Sequence, residues 1–317
     1  MSMTGQNHIV FFSGGKSSFA VADYVKTNYP KDNIVLYFTD TLWEDEDLYR
    51  FLYEASDKLG LPLLTHSRGI TPPQLMVQQR FMANSRVGTC SKELKMKVSE
   101  NYLKKGIVPE IEKWYNKEYL KDENFTQNAT MYFGIGFEEY HRVEPIKKNW
   151  SSHFKVEMPL MENVIDNDEV LRKYNIRTPI MYLKNYSHNN CKGRCVKGGA
   201  GHFKNLLLKD EETFIELMEQ EIVSSDYIRY TRQCKGKDHM YKDVWEFVST
   251  GKKSPKIQHI IETNKYTKNW NYGDRKKQYT FMKKQSLEEL EKKPAQCDMF
   301  DVGGCSCFFD YEDNPSF

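Results

Sequence analysis

The chain has 317 residues and a formal charge of +2, from 46 basic and 44 acidic side chains. So even a balance excludes recognition of nucleic acid by bulk electrostatics, and any such surface must be local. The chain carries no apolar run of about 18 residues and no apolar stretch at its polar start, which predicts neither membrane span nor signal peptide. Its seven cysteines, an odd number mostly late in the chain, suit a reducing cytoplasm better than a disulfide framework.

Taken in order, Ile9 to Phe12 form an apolar run of strand length that stops at Ser13-Gly14-Gly15. From Ser17 onward Phe19, Ala20, Ala22, Tyr24 and Val25 recur at helical spacing, so the segment reads strand, tight turn, helix. Glycines let the backbone approach a ligand, and the free amides of a first helical turn favour an anion. The hydroxyls of Ser13, Ser17 and Ser18 and the ammonium of Lys16 add to that preference. Asn33 to Phe38 read as a second buried strand ending at Thr39-Asp40-Thr41, followed by a helix from about Glu44 to Leu59 with Gly60 as its stop. Glu44 and Asp45 read as a solvated helix start that suits the dipole. With Leu61 to Thr65 as a third strand, this alternation predicts right-handed crossovers and a parallel sheet. Ligands of such sheets gather beyond the carboxyl ends of the strands, where Ser13, Asp40 and His66 would lie.

Thr71-Pro72-Pro73 marks a further helix entry. Cys90 precedes a helix carrying Lys92, Lys95 and Lys97, whose charges and dipole would stabilise a thiolate; a small buried apolar residue is the other reading. Pro109 to Asp122 is expected to be an amphipathic helix packed through Trp114, Tyr115 and Tyr119. The strand Ala129 to Phe137 then enters Glu138-Glu139-Tyr140-His141-Arg142, where acid, base and phosphate-binding groups lie together. After Asp166, expected to cap a helix through Tyr174, the chain becomes rich in Lys, Asn, Tyr and Cys.

Cys191 and Cys195, with Cys297, Cys305 and Cys307, offer two close cysteine pairs far apart in the chain, a pattern open to tetrahedral zinc, an iron–sulfur cluster, or reduced structural or redox thiols. Gly198 to Gly201, beside Lys197 and His202, is a candidate second anion site. Helices are expected over Glu211 to Ile222 and Met240 to Thr250. The cations and aromatics between Lys265 and Lys284 fit either stacking on bases with phosphate contact or solvated loops.

Ser13 to Ser18 resemble the Ser-Gly-Gly-x-Asp-Ser loop of the PP-loop ATP pyrophosphatases, with Ser17 where that family has Asp. Phe38 to Leu42 with Glu46 to Phe51 is similar to the second-strand signature of the PAPS-reductase-like branch. Cys90 to Lys95 and Gly134 to Arg142 resemble its Cys-x-x-x-Leu-Lys and Gly-Ile-x-x-x-Glu-x-x-Arg elements. Cys191 to Lys197 and the closing Gly304 to Phe308 resemble proteins of this branch from bacterial viruses.

The resemblance implies an α/β fold, a parallel sheet flanked by helices of the adenine nucleotide alpha hydrolase-like type, with a helix-rich, cysteine-bearing C-terminal part. The domains would be a nucleotide-binding domain over 1–160 and a helical region over 161–317. It further implies an AMP-forming enzyme that uses ATP and Mg2+ to activate an acceptor for sulfur or nitrogen transfer, with nucleic acid, tRNA or DNA, as the preferred acceptor. In that scheme Ser13, Gly14, Gly15, Lys16, Ser17 and Ser18 hold the pyrophosphate, while Asp40, Gly136 and Glu139 border the nucleotide. Ser17, Cys90 and Arg142 would be catalytic, and Cys191, Cys195, Cys305 and Cys307 would hold zinc or an iron–sulfur cluster. Two alternatives stand beside it. One is a PAPS or adenylylsulfate reductase, whose usual Glu-Cys-Gly-x-His ending is not matched by Gly303 to Phe308. The other is a non-catalytic nucleotide-binding sensor or inhibitor, suggested by Ser17.

Overall fold

The computed structural model describes residues 6–292 except 85–86, 190, 234–237, 264–278 and 283–284. Its strands are β1 (Asn7–Phe11), β2 (Asn33–Asp40), β3 (Leu63–Ser67), β4 (Ile111–Tyr115), β5 (Thr130–Phe133) and β6 (Lys155–Glu157). The helices are α1 (Lys16–Asn28), α2 (Glu46–Leu59), α3 (Pro72–Gln79), α4 (Lys97–Lys105), α5 (Val143–Trp150), α6 (Asn167–Lys173) and the single turn α7 (Ile180–Leu183). They continue with α8 (Ala200–Lys209), α9 (Glu211–Gln233), α10 (Tyr241–Thr250), α11 (Pro255–Thr263) and α12 (Leu287–Glu291). The described residues fall into two compact units, one of 6–69 and 91–189, the other of 70–90 and 191–292. No helix among them is long and apolar enough to cross a membrane.

The first unit is built on one six-stranded sheet of order β4-β3-β2-β1-β5-β6, parallel except for β4. Successive side chains of a strand face opposite ways, so an unbroken apolar run needs cover on both faces. Val10, Phe12, Leu36 and Phe38 meet Phe19, Phe51 and Leu52 of α1 and α2 on one face. Ile9, Phe11, Val35 and Tyr37 meet Leu103, Ile146 and Trp150 of α4 and α5 on the other. Gly60 ends α2 at φ 59° and Asp166 caps α6 through the amides of Asp168 and Glu169, as their sequences indicate. Asp45, expected as a solvated charge, is instead 4% exposed and caps α2 by accepting from the Asp47 amide at 2.8 Å.

The stretch from Pro109 to Asp122 is not a helix. Ile111 to Tyr115 form the antiparallel edge strand, Leu64 pairing with Trp114, and Asn116 turns the chain in the left-handed region at φ 53°. Trp114 packs toward Phe125 on one face and Tyr115 against Tyr53 on the other, an alternation of period two. This strand also removes His66 from the ligand side. Its ring is fully buried, with Nδ1 3.0 Å from the Tyr37 hydroxyl and Nε2 2.9 Å from Glu112 Oε2. Burial lowers its pKa, against the opposing pull of Glu112.

In the second unit α3 opens with a capping box between Thr71 and Gln74, and Gln74 also donates to the Ser249 hydroxyl of α10 at 2.8 Å. The helix expected to end at Ile222 runs on to Gln233, because Val223, Tyr227, Ile228 and Tyr230 extend its buried surface. Within it Glu221 is 2% exposed and accepts from the amides of Phe281 and Leu287, each at 2.7 Å, holding both segments against α9. Burial pushes its pKa up to about 7.

Candidate nucleotide site

β1 lies at the middle of the sheet, with β2 on one side and β5 on the other. The winding reverses there, and the crevice beyond the carboxyl ends at such a reversal is where open α/β sheets bind ligands. The turn from β1 to α1 fills it. Gly14 takes φ 78° with its α-carbon against Leu48, where a Cβ would lie 3.0 Å from Leu48 Cγ. Gly15, extended at φ −96°, is the N-cap; it supplies no side-chain cap, and no acidic residue stands in the first turn. The positive helix end thus has no cap from its own segment, an arrangement that suits an anion from outside the helix. Gly134, just past β5, lets α1 come in close: a Cβ there would be 2.8 Å from the Ser18 nitrogen. The hydroxyls of Ser13 and Ser18 hold the bend itself, Ser13 donating to Ser18 at 3.3 Å and Ser18 to the Gly15 carbonyl at 2.9 Å.

A strap from Asp166 to Asn189 crosses the loop. Asn167 Nδ2 donates to Ser17 Oγ at 3.2 Å, and Lys16 Nζ to Asp168 Oδ1 at 2.6 Å. The Lys16 amide donates to the Tyr182 hydroxyl at 3.2 Å, and Asn189 Nδ2 to the Gly14 carbonyl at 2.8 Å. Two carboxylates anchor the strap, one buried (Asp23) and one half-buried (Asp47). Asp23 of α1 receives Lys173 at 2.8 Å and the Tyr174 hydroxyl at 2.6 Å. Asp47 of α2 receives Arg50, Arg177 and the Ile180 amide. Burial would raise the Asp47 pKa, but the hydrogen bonds from Arg50 and Ile180 and the nearby guanidinium charges hold it below the usual carboxylate range. Burial raises the Tyr182 pKa, although the amides of Lys16 and Asn189 pull it down, so the phenol is neutral. A pocket of about 340 Å³ adjoins, bordered by Lys16, Asp168, Arg172, Tyr182 and apolar side chains of the strap. The side-chain oxygens of Asn167 and Asn189 and the Nε of Arg142 are buried with no hydrogen-bond partner.

Asp40 lies at the carboxyl end of β2, its Oδ1 accepting from the Leu42 amide at 2.7 Å and the Tyr49 hydroxyl at 2.8 Å. Burial raises its pKa, with those two hydrogen bonds opposing. Next to it the sequence reading of Glu44 as a solvated charge is corrected. Glu44 is 6% exposed, accepts from Thr41 Oγ1 at 2.8 Å and lies 3.3 Å from Lys95 Nζ. Buried carboxylates need such partners. Two lysines of the basic helix are thus engaged within the protein, Lys95 with Glu44 and Lys97 with Glu93 at 3.1 Å.

Gly136 precedes a short 3-10 segment, Phe137–Arg142, in which Arg142 is buried and bonded to Glu139 while His141 is exposed. His188 lies within electrostatic reach of Glu139 and Arg142, and burial lowers its pKa. Ser13, Gly14, Gly15, Lys16, Ser17 and Ser18 are thus one loop, with Asp40 at the neighbouring strand end and Gly136, Glu139 and Arg142 following β5. Cys90, Cys191 and Cys195 belong to the second unit, Cys195 buried. Cys305 and Cys307 lie outside the described residues, among which no group of three or more His, Cys, Asp or Glu could hold a metal. At the glycine-rich turn before α8, His202 Nε2 is 2.8 Å from the Gly193 carbonyl, and its ring leaves no room for a Cβ at Gly198. Residues that sequence reasoning missed are Asn167, Asp168, Tyr182, His188 and Asn189, for which the only local signal was the Asp166 cap.

Residues 7–112 match the family model for the phosphoadenosine phosphosulfate reductase domain. No curated protein and no solved structure matches the chain. Strand, glycine turn and uncapped helix at the sheet's reversal agree with that match, which is to a domain family of the PP-loop, adenine nucleotide alpha hydrolase-like superfamily and is confined to residues 7–112.

Proposed function

We propose that the first unit binds ATP through the turn at Ser13 to Ser18 and forms an adenylated acceptor. The acceptor oxygen attacks the α-phosphorus, the bond to the bridging oxygen breaks, and pyrophosphate leaves. A sulfur or nitrogen nucleophile then displaces AMP. The amino end of α1, uncapped by any side chain of its own segment, carries this reading, since its amides and dipole suit the charge that grows on the leaving pyrophosphate. Lys16 adds a cation and Ser17 a hydroxyl, while Asp40 borders the adenosine. The buried guanidinium of Arg142, with its unpartnered Nε, supports a place for it near developing negative charge. In this reading Cys90 is the sulfur-bearing thiol, and tRNA or DNA is the acceptor.

A magnesium ion accompanying ATP is held mostly by phosphate oxygens and needs only one or two protein carboxylates. Asp168, beside Lys16 and half exposed, fits that need, with the Ser17 hydroxyl as a neutral neighbour. Bound there, the ion would spread the phosphate charge.

A second reading is a nucleotide-binding protein without catalysis, favoured by Ser17: it brings no carboxylate, and Asn167 already engages its hydroxyl. Calorimetry with ATP, together with pyrophosphate release in the presence of tRNA, duplex DNA or sulfate, separates the readings. Release that depends on nucleic acid supports the adenylating enzyme, and binding without release the second reading. Reduction of PAPS with no ATP cleavage marks the reductase. Absence of any affinity for ATP, AMP or PAPS overturns all three.

A further inference from the structure

We propose that the strap covers the phosphate site while it is empty and that the Tyr182 hydroxyl is a placeholder for a phosphate oxygen. The inference rests on the nucleotide reading of the loop and concerns how the site is filled. Each polar part of the turn is engaged from the strap: the Gly14 carbonyl by Asn189, the Lys16 amide by Tyr182, the Lys16 ammonium by Asp168 and the Ser17 hydroxyl by Asn167. Of these contacts, one falls where an anion belongs. The phenol oxygen accepts the first amide of α1 and lies 3.1 Å from the place a Gly15 Cβ would take. It satisfies an orphan donor that would otherwise be buried unmade. A neutral phenol, however, brings no charge to the helix dipole, and it meets the Lys16 ammonium only through its ring face, 4.7 Å from the ring centre. A phosphate oxygen carries charge and gains from both, so it displaces the phenol.

The architecture of the strap suits such a displacement. Its first part is fixed to α1 and α2 through Asp23 and Asp47, the last of these anchors being the Ile180 amide. Beyond it α7 is a single turn, followed by Asn185 at φ 63°. The part that would move is therefore 182–189, which carries both Tyr182 and Asn189, whereas Asn167 and Asp168 stay with the anchored part.

The test is pyrophosphate binding to the full chain and to Tyr182→Phe, measured by calorimetry, with hydrogen exchange of the wild type read by mass spectrometry. Loss of the hydroxyl removes one competing hydrogen bond, so Tyr182→Phe is expected to bind pyrophosphate about three- to tenfold more tightly. In the wild type, amides over 182–189 should exchange faster once pyrophosphate is added. If Tyr182→Phe binds equally or more weakly while the wild type binds, or if 182–189 become more protected, the placeholder role is overturned and the loop's nucleotide reading survives. If neither protein binds pyrophosphate or ATP, that reading fails and takes this one with it.

Discussion

Replacing Gly134 with alanine tests how closely the loop is fitted to the sheet. The new Cβ would lie 2.8 Å from the Ser18 nitrogen and 2.9 Å from both the Ser17 carbonyl carbon and the Ser18 α-carbon. All three are backbone atoms, so no side chain can swing aside. To reach ordinary contact the start of α1 must retreat from β5 by about 0.5 to 1 Å, a shape change of the kind that costs about 1–3 kcal/mol in packed interiors. With a urea slope of about 1–3 kcal/mol per molar, the unfolding midpoint should drop by about 1 M. Nucleotide affinity should fall as well, because the displaced turn carries the amides. Gly60→Ala is the matched control. Gly60 is at φ 59° with nothing within 4 Å of the added methyl, so about 1 kcal/mol is expected from left-handed strain alone, with affinity unchanged. Gly134→Ala unfolding at the wild-type midpoint and binding ATP as the wild type does would refute the close-fit argument.

Two further outcomes follow from Glu221 and Asp47. Glu221 holds its proton up to about pH 7 in the folded chain, against an ordinary glutamate value of 4.5, so the folded protein binds more protons between those values. Stability should therefore fall as pH rises through that window, by on the order of 3 kcal/mol; urea unfolding of the full chain at pH 4.5, 6 and 7.5 measures it, and Glu221→Gln should flatten the slope. Asp47→Asn weakens the pairing with Arg50 and Arg177, and since Arg177 is largely exposed the discounted cost is about 1–3 kcal/mol. Because the Asp47 pKa is depressed, its contribution is present above the ordinary carboxylate value and is lost as pH falls through the folded one. Faster amide exchange over 177–182 in this variant, read by mass spectrometry, would show the strap loosened.

The loop and the two helices after it were legible because their signals are local: glycines at the turn, Gly60 at the end of α2, apolar residues at helical spacing. The edge strand was not, since Trp114, Tyr115 and Tyr119 suit a helix as well as a strand, and only pairing with Leu64 decides between them. Glu44 was misread for the same reason. Its acidic neighbours made it look like a solvated helix start, while the ammonium that holds it arrives on a distant helix. The strap escaped altogether. Asn167, Asp168, Tyr182 and Asn189 are ordinary polar residues whose place beside the loop depends on salt bridges from Asp23 and Asp47, which no local pattern announces. Ser17 is the clearest example, as its departure from the family pattern was visible but its partner Asn167 was not.

The position of β1 in the sheet has a practical bearing on fragments. The family match stops at residue 112, inside the edge strand and before β5. A protein cut there would leave β1, in the middle of the sheet, with one flank of amides and carbonyls unpaired and, lacking α5, would bare the Phe11 side of the sheet that Trp150 covers. Such a margin recruits other chains. A soluble fragment of the first unit must therefore extend through β6, and through Asn189 if the strap is to come with it.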